Sequence, residues 1–241
     1  MRYNAQVVDA PREYWQTEAQ AEHYERNRFG DPWSRAYRFV EERTIRRALR
    51  ALARCGRILD TACGTGRITT LLVDEGFAEV VGSDVSTAMM AVAKRHLPQI
   101  EFFQGDATRL PFDENSFDAV TCIGLLMHLD AATRVAALRE LARISRRHVV
   151  VQYGCVGAFQ RLQSRVTGRP AGSVRYPVVD AEIHQDLERS GLQERARFWV
   201  LRPVTGSLIL SLAKERRRVA RPSARRSLPR DLAALAASGP R

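Results

Sequence analysis

The stretch RILDTACGTGR at residues 57–67, with Asp84 closing the next apolar run, constrains this chain more than any other feature. A short hydrophobic strand runs into a glycine turn and a helix start, and a carboxylate follows 20 residues after Gly64. That spacing suits a ligand containing an adenosine. Gly64 and Gly66 carry no Cβ, so the turn can take positive φ and a ligand can lie against the peptide groups. Asp84, at the end of the second strand, then accepts hydrogen bonds from vicinal ribose hydroxyls. A glycine turn alone also has a purely steric reading; the acid at position 84 favours the ligand.

Two ligand classes fit poorly. Dinucleotide binding wants G-x-G-x-x-G, whereas the register here is Gly64, Gly66, Thr69. A phosphate-binding loop of the G-x-x-x-x-G-K-[ST] kind needs a lysine, and none follows Gly66. Along the chain, Phe39, Val40, Ile45, Leu49 and Leu52 mark an amphipathic helix over 34–54. Strands are expected at 57–62, 79–83, 100–103, 117–123 and 148–152, with helices at 67–75, 86–95 and 131–145 between them. This alternation means a parallel sheet covered on both faces, with its crevice beyond the strands' carboxyl ends. The glycine- and arginine-rich segment 154–176 reads either as a substrate-side insertion or as a plain surface excursion. A helix over 179–190 follows, then strands in GLQERARFWVLR and GSLILSLAK, whose short PVTG link suggests an antiparallel hairpin.

The blocks LDTACGTGR, GSDVSTAMMAVAKR and GDATRLPFDENSFDAV, in that order across 58–151, resemble the class I S-adenosylmethionine-dependent methyltransferases of small-molecule type. The resemblance implies a three-layer, Rossmann-like α/β fold: a seven-stranded sheet, parallel except for an antiparallel last strand, with helices on both faces. It implies S-adenosylmethionine as cofactor, S-adenosylhomocysteine as product, and a set of contacts. Asp60, Ala62, Cys63, Gly64, Thr65 and Gly66 would surround the methionyl part, and Asp84 the ribose. Val85, Met89 and Ile123 would pack on the cofactor, and Asp106 with the Ala107 amide would read the adenine edge. Asp106 has a rival reading as an Asx-type turn. Ala62 stands where the family has its first glycine, and alanine suits that place only if φ stays negative.

Length allows one large α/β domain, or one domain with a small cap. We expect a helical lid or cap over 1–54, the methyltransferase domain over 55–213 with its insertion at 154–176, and a basic tail over 214–241. The net charge is +11, but 214–241 holds nine Lys or Arg against two acids and so carries +7 of it. That tail reads as a solvated extension, with attraction to RNA or an anionic membrane as its alternative. Cys55, Cys63, Cys122 and Cys155 form no C-x-x-C pair and have no histidine companions at zinc spacing, so neither a disulfide framework nor a metal is expected. The first 15 residues lack the apolar core of a signal peptide and no stretch approaches 18 uninterrupted apolar residues, so a cytoplasmic location is expected. The chain is expected to be a monomer or a homodimer.

Tyr14, Trp15, Tyr24, Phe29, Trp33, Tyr37 and Phe39 place seven of the 18 aromatic residues within 26 positions. Family resemblance makes AEHYERNRF a lid, with Tyr24 touching the sulfonium or carboxylate end of the cofactor, where an aromatic face attracts a cation. The rival reading is that these rings only pack helices on the sheet. His128, in CIGLLMHL after the fourth strand, is the candidate general base or a hydrogen-bonded structural residue. His23, Trp33 and His128 are the candidate substrate contacts. The [DN]-P-P-[YF] motif of enzymes that methylate planar amines is absent, Ile123 to Leu126 standing in its place, so a small-molecule acceptor is expected. Two alternatives stay open: a tRNA or rRNA methyltransferase using the basic tail, and a non-catalytic cofactor-binding scaffold.

Overall fold

A computed structural model describes residues 17–28, 31–52, 56–155, 176–202 and 206–214. In chain order these form α1 (Glu18–Arg28), α2 (Pro32–Leu49), β1 (Arg57–Thr61), α3 (Arg67–Asp74), β2 (Glu79–Asp84), α4 (Thr87–His96), β3 (Glu101–Gln104), β4 (Phe117–Cys122), α5 (Ala131–Ile144), β5 (Ser145–Gly154), α6 (Asp180–Ser190), β6 (Leu192–Val200) and β7 (Ser207–Lys214). The strands make one sheet in the order β3-β2-β1-β4-β5-β7-β6. β7 runs antiparallel to both its neighbours, β5 and β6, while the remaining pairs are parallel. This is the seven-stranded, mostly parallel arrangement expected. The physical reason β7 lies inside and β6 at the edge is legible in their residues. SLILSLAK is buried over its first six positions, whereas LQERARFWV exposes Gln193, Glu194 and Arg195.

Helix starts follow local chemistry. Asp31 accepts from the Trp33 and Ser34 amides ahead of Pro32, Ser86 accepts from Met89, and Asp130 accepts from Thr133. On one sheet face Ile45, Ala48 and Leu49 of α2 and Ile68, Leu71 and Leu72 of α3 share a core with Ile58, Val150 and Ile209. On the other, Leu138 and Leu141 of α5 and Ile183 and Leu187 of α6 pack on Val120, Val151 and Leu210. The described part of the expected lid segment 1–54 is therefore of two kinds. α2 covers the sheet as a core layer, because an amphipathic stripe has nowhere else to go, while α1 lies on α4 through Ala21, Met89 and Val92. The basic stretch 215–241, Tyr14, Trp15, Phe29, Cys55, the body of the 154–176 segment and most of the PVTG link lie outside the described residues. Among the described residues, no helix is long and apolar enough to cross a membrane.

Candidate functional site

Pairing in register brings three strand ends together: Thr61 of β1 faces Ser83 of β2 on one side and Cys122 of β4 on the other. The turn leaving β1 is thus beside Asp84 and beside the segment that carries His128. Gly64 and Gly66 have φ of 56° and 90°. Their duties differ. A Cβ on Gly66 would press on Ala93 at 3.1 Å, so this glycine lets α3 approach α4. A Cβ on Gly64 would meet nothing within 4 Å, so that side of the turn is open. Gly66 also caps α3 with no side-chain hydrogen bond, leaving amides at the helix start without a capping oxygen.

Asp84 joins the pieces. One carboxylate oxygen accepts from the Gly64 amide at 2.8 Å and the other from the Ser86 amide at 2.9 Å. Burial raises its pKa, opposed by those backbone donors. The carboxylate expected to grip a ribose therefore also holds the turn in place.

Ala62 has φ of 55°, so the condition under which alanine replaces glycine comfortably is not met. The turn imposes the glycine conformation, and the methyl group carries the strain. Asp60 also departs from expectation. It is 1% exposed, and its two oxygens accept from Thr69 Oγ1 at 2.7 Å and Thr121 Oγ1 at 3.0 Å. Such a carboxylate supports the turn from beneath instead of lining the cleft. Burial pushes it up to about 6 against the pull of the two hydroxyls. Thr69, read in the sequence only as a missing glycine, is thus a donor to Asp60.

Cys63 is buried, its thiol raised well above the ordinary range by burial. Thr65 is half-buried on the turn. Val85 is exposed, whereas Met89, at 6% exposure, turns into the cluster with Ala21, Val92 and Tyr24. Met89 is thus covered by α1, and Tyr24 leans on α4. Asp106 Oδ1 accepts from the amide and the hydroxyl of Thr108 at 2.9 and 2.8 Å, the Asx-type turn of the rival reading. Ala107 packs on the core. Ile123 is buried against the α2–α3 side. His128 is exposed on a single 3-10 turn, Leu126–His128, above buried Leu126. His23 on α1 and Trp33 on the first turn of α2 are both exposed.

Two buried networks escaped sequence reading. Glu41, 2% exposed on α2, accepts from Tyr37 and Gln152 and pairs with Arg67 at 3.1 Å, while Gln152 also donates to Ser207. Arg134, Asp186 and Tyr153 form the other, with Arg134 also reaching the Leu129 carbonyl beside His128. The available signal was a polar residue on an apolar face: Glu41 between Tyr37 and Ile45 at four-residue spacing, and Gln152 in HVVVQY. Among the described residues, no three His, Cys, Asp or Glu side chains gather as a metal site.

Residues 58–148 match the family model described as a methyltransferase domain. The chain is 48% identical over 90 residues to a demethylmenaquinone methyltransferase of Beutenbergia cavernae, covering 37% of this chain and 36% of that protein. A demethylmenaquinone methyltransferase of Mycobacterium tuberculosis is 43% identical over 110 residues, 44% of each chain. The chain thus spans less than half the length of these relatives. Among solved structures, magnesium protoporphyrin IX methyltransferase from Synechocystis with bound SAH aligns with a TM-score of 0.69 at 20% identity, over 88% of this chain and all of that one. The PH0226 protein of Pyrococcus horikoshii aligns at 0.63 and 20% identity, over 80% of this chain and 98% of that one.

Proposed function

We propose that this chain, whose residues 58–148 match a methyltransferase domain, is a class I S-adenosylmethionine-dependent methyltransferase that moves a methyl group from S-adenosylmethionine to a small-molecule acceptor. The observation that carries the reading is the Gly64 amide bound to the Asp84 carboxylate, which ties a turn open at Gly64 to a ribose-type acceptor at adjoining strand ends. The site fits the cofactor: the open face of Gly64 accepts a ligand against the backbone, and the uncapped start of α3 offers amide donors. When bound, S-adenosylmethionine supplies a methyl group on a sulfonium, already activated for displacement.

In this reading Gly64, Thr65 and Gly66 cradle the methionyl end, Asp84 takes the ribose hydroxyls, and Val85, Asp106 and Ala107 flank the adenine. Asp60 acts through Thr69 and Thr121 as a positioning residue. The protein's main task is to hold an acceptor atom in line, and proximity of that kind accounts for much of such an acceleration. His128 takes the proton an acceptor hydroxyl or amine must lose. Relatives and structural neighbours named for demethylmenaquinone and magnesium protoporphyrin IX support the small-molecule class.

Calorimetric titration of the full chain with S-adenosylhomocysteine, NAD⁺ and ATP tests the reading. Only the first is expected to bind. Asp84→Ala should weaken it by about 1.5–3 kcal/mol, the loss of charge-assisted hydrogen bonds, and Gly64→Val should block it. Unchanged affinity in both variants, or preference for NAD⁺ or ATP, overturns the assignment. With an acceptor in hand, His128→Ala should cut turnover about 10²- to 10⁴-fold at near-normal cofactor affinity; full activity would leave His128 structural.

A further inference from the structure

The loop between β3 and β4 carries Asp106, and its far half is fastened to α5. Glu140 Oε1 accepts from the Leu110 amide at 2.7 Å. Arg143 donates to the Phe112 carbonyl at 2.8 Å and to the Leu110 carbonyl at 3.4 Å, and its Nε binds Glu140 Oε2 at 2.8 Å. One ion pair, three residues apart on one helix face, therefore holds both backbone groups of Leu110 and one of Phe112. Leu110 is 4% exposed, so an amide there without its carboxylate partner would be costly.

The near half of the loop depends on that anchor. A Cβ on Gly105 would fall 2.9 Å from Pro111 and 3.1 Å from Leu110, so the two halves lie face to face. The Gly105 amide donates to the Asp84 carbonyl at 3.0 Å, and the Arg109 amide to the Asp106 carbonyl at 2.8 Å. Asp106 thus sits in a closed loop with one fastening on β2 and the other on α5.

We propose that Glu140 and Arg143 are positioning residues for adenine recognition: they set the place of Asp106 through Leu110 and touch no ligand themselves. This rests on the reading of the site given above. In the folded protein Arg143 holds the Glu140 carboxyl below its ordinary range, so the pair is charged at neutral pH.

The test compares S-adenosylhomocysteine with S-inosylhomocysteine, whose ring carbonyl replaces the exocyclic amine, so that an acceptor stands where Asp106 would meet the exocyclic N–H. Wild type prefers the adenine ligand. Glu140→Ala should weaken that ligand about tenfold, the size of a lost hydrogen bond to a charged group, while leaving the inosine analogue nearly unchanged. Glu140→Gln keeps an oxygen for the Leu110 amide and should restore the preference. Equal loss for both ligands, no loss, or no recovery in Glu140→Gln overturns the proposal. Should Glu140→Ala fail to fold, Arg143→Met carries the same comparison with the same readings. Hydrogen exchange at the Leu110 amide without ligand reads the clamp apart from the cofactor: faster exchange in Glu140→Ala, or in Arg143→Met if the former is unfolded, supports it, and unchanged exchange refutes it. Failure of wild type to bind S-adenosylhomocysteine would instead sink the proposed function.

Discussion

Among single residues, two near the end of β1 are unusual. Ala62 adopts φ of 55°, a region that costs an L-residue about 1 kcal/mol or more. Ala62→Gly should accordingly stabilise the fold by about 1 kcal/mol, measured by urea unfolding; a destabilised variant would show that the methyl group packs usefully. Asp60 is the other. Its folded pKa of about 6 lies above its ordinary value of 3.8, so the folded state binds the proton more tightly than the unfolded chain. Its contribution to stability is full below about pH 4 and is lost as pH rises to about 6, a change of up to about 3 kcal/mol. Melting curves of wild type and Asp60→Asn across this range should diverge with rising pH in the variant's favour. Parallel curves would place the Asp60 pKa near its ordinary value.

Elements are joined here by polar bridges laid through apolar layers. α6 meets α5 through the Arg134–Asp186 pair at 2.5 Å, both side chains under 5% exposed, with Tyr153 of β5 donating to the same carboxylate. Removing one partner of such a pair strands a buried charge, so Arg134→Met should cost about 3–5 kcal/mol in a denaturant titration. The double variant Arg134→Met with Asp186→Leu should recover most of that loss. Additive losses instead would mean that the pair's own attraction contributes nothing. On the opposite face, Glu41 links α2 to α3, β5 and β7 through Arg67, Gln152 and Ser207. α2 is thereby tied to the helix that begins at the glycine turn.

For the whole molecule, the two amino-terminal helices differ in what their loss would do. α2 supplies fully buried Ile45 and Leu49, each contributing about 1.5–3 kcal/mol, to a stability that for domains of this kind is about 5–15 kcal/mol in total. α1 adds mainly Ala21, with Tyr24 partly buried and Glu18 and Glu22 pairing with Arg95 at the surface. Deletion of residues 1–30 should leave a cooperative melting transition, and deletion of 1–54 should abolish it. A cooperative transition in the longer deletion would make α2 dispensable and restore the lid reading.

The alternation of strands and helices, the glycine turn and the acid at 84 were legible in the order of residues alone. Each is a local pattern whose physics acts within some 20 residues: apolar periodicity, caps such as Ser86 and Asp130, and a turn that needs positive φ. The element bounds came within three residues of those observed for the same reason, apart from the end of α2, expected at 54 and found at Leu49. Which oxygen meets which donor was set by the packing of distant segments. Thr121 reaches Asp60 from 61 positions away, Gln152 reaches Glu41 from 111, and Glu140 reaches Leu110 from 30. Those partners answer to no local rule. They are chosen because a polar group sealed from water must find a partner among whatever the packed sheet and helices bring within 3 Å.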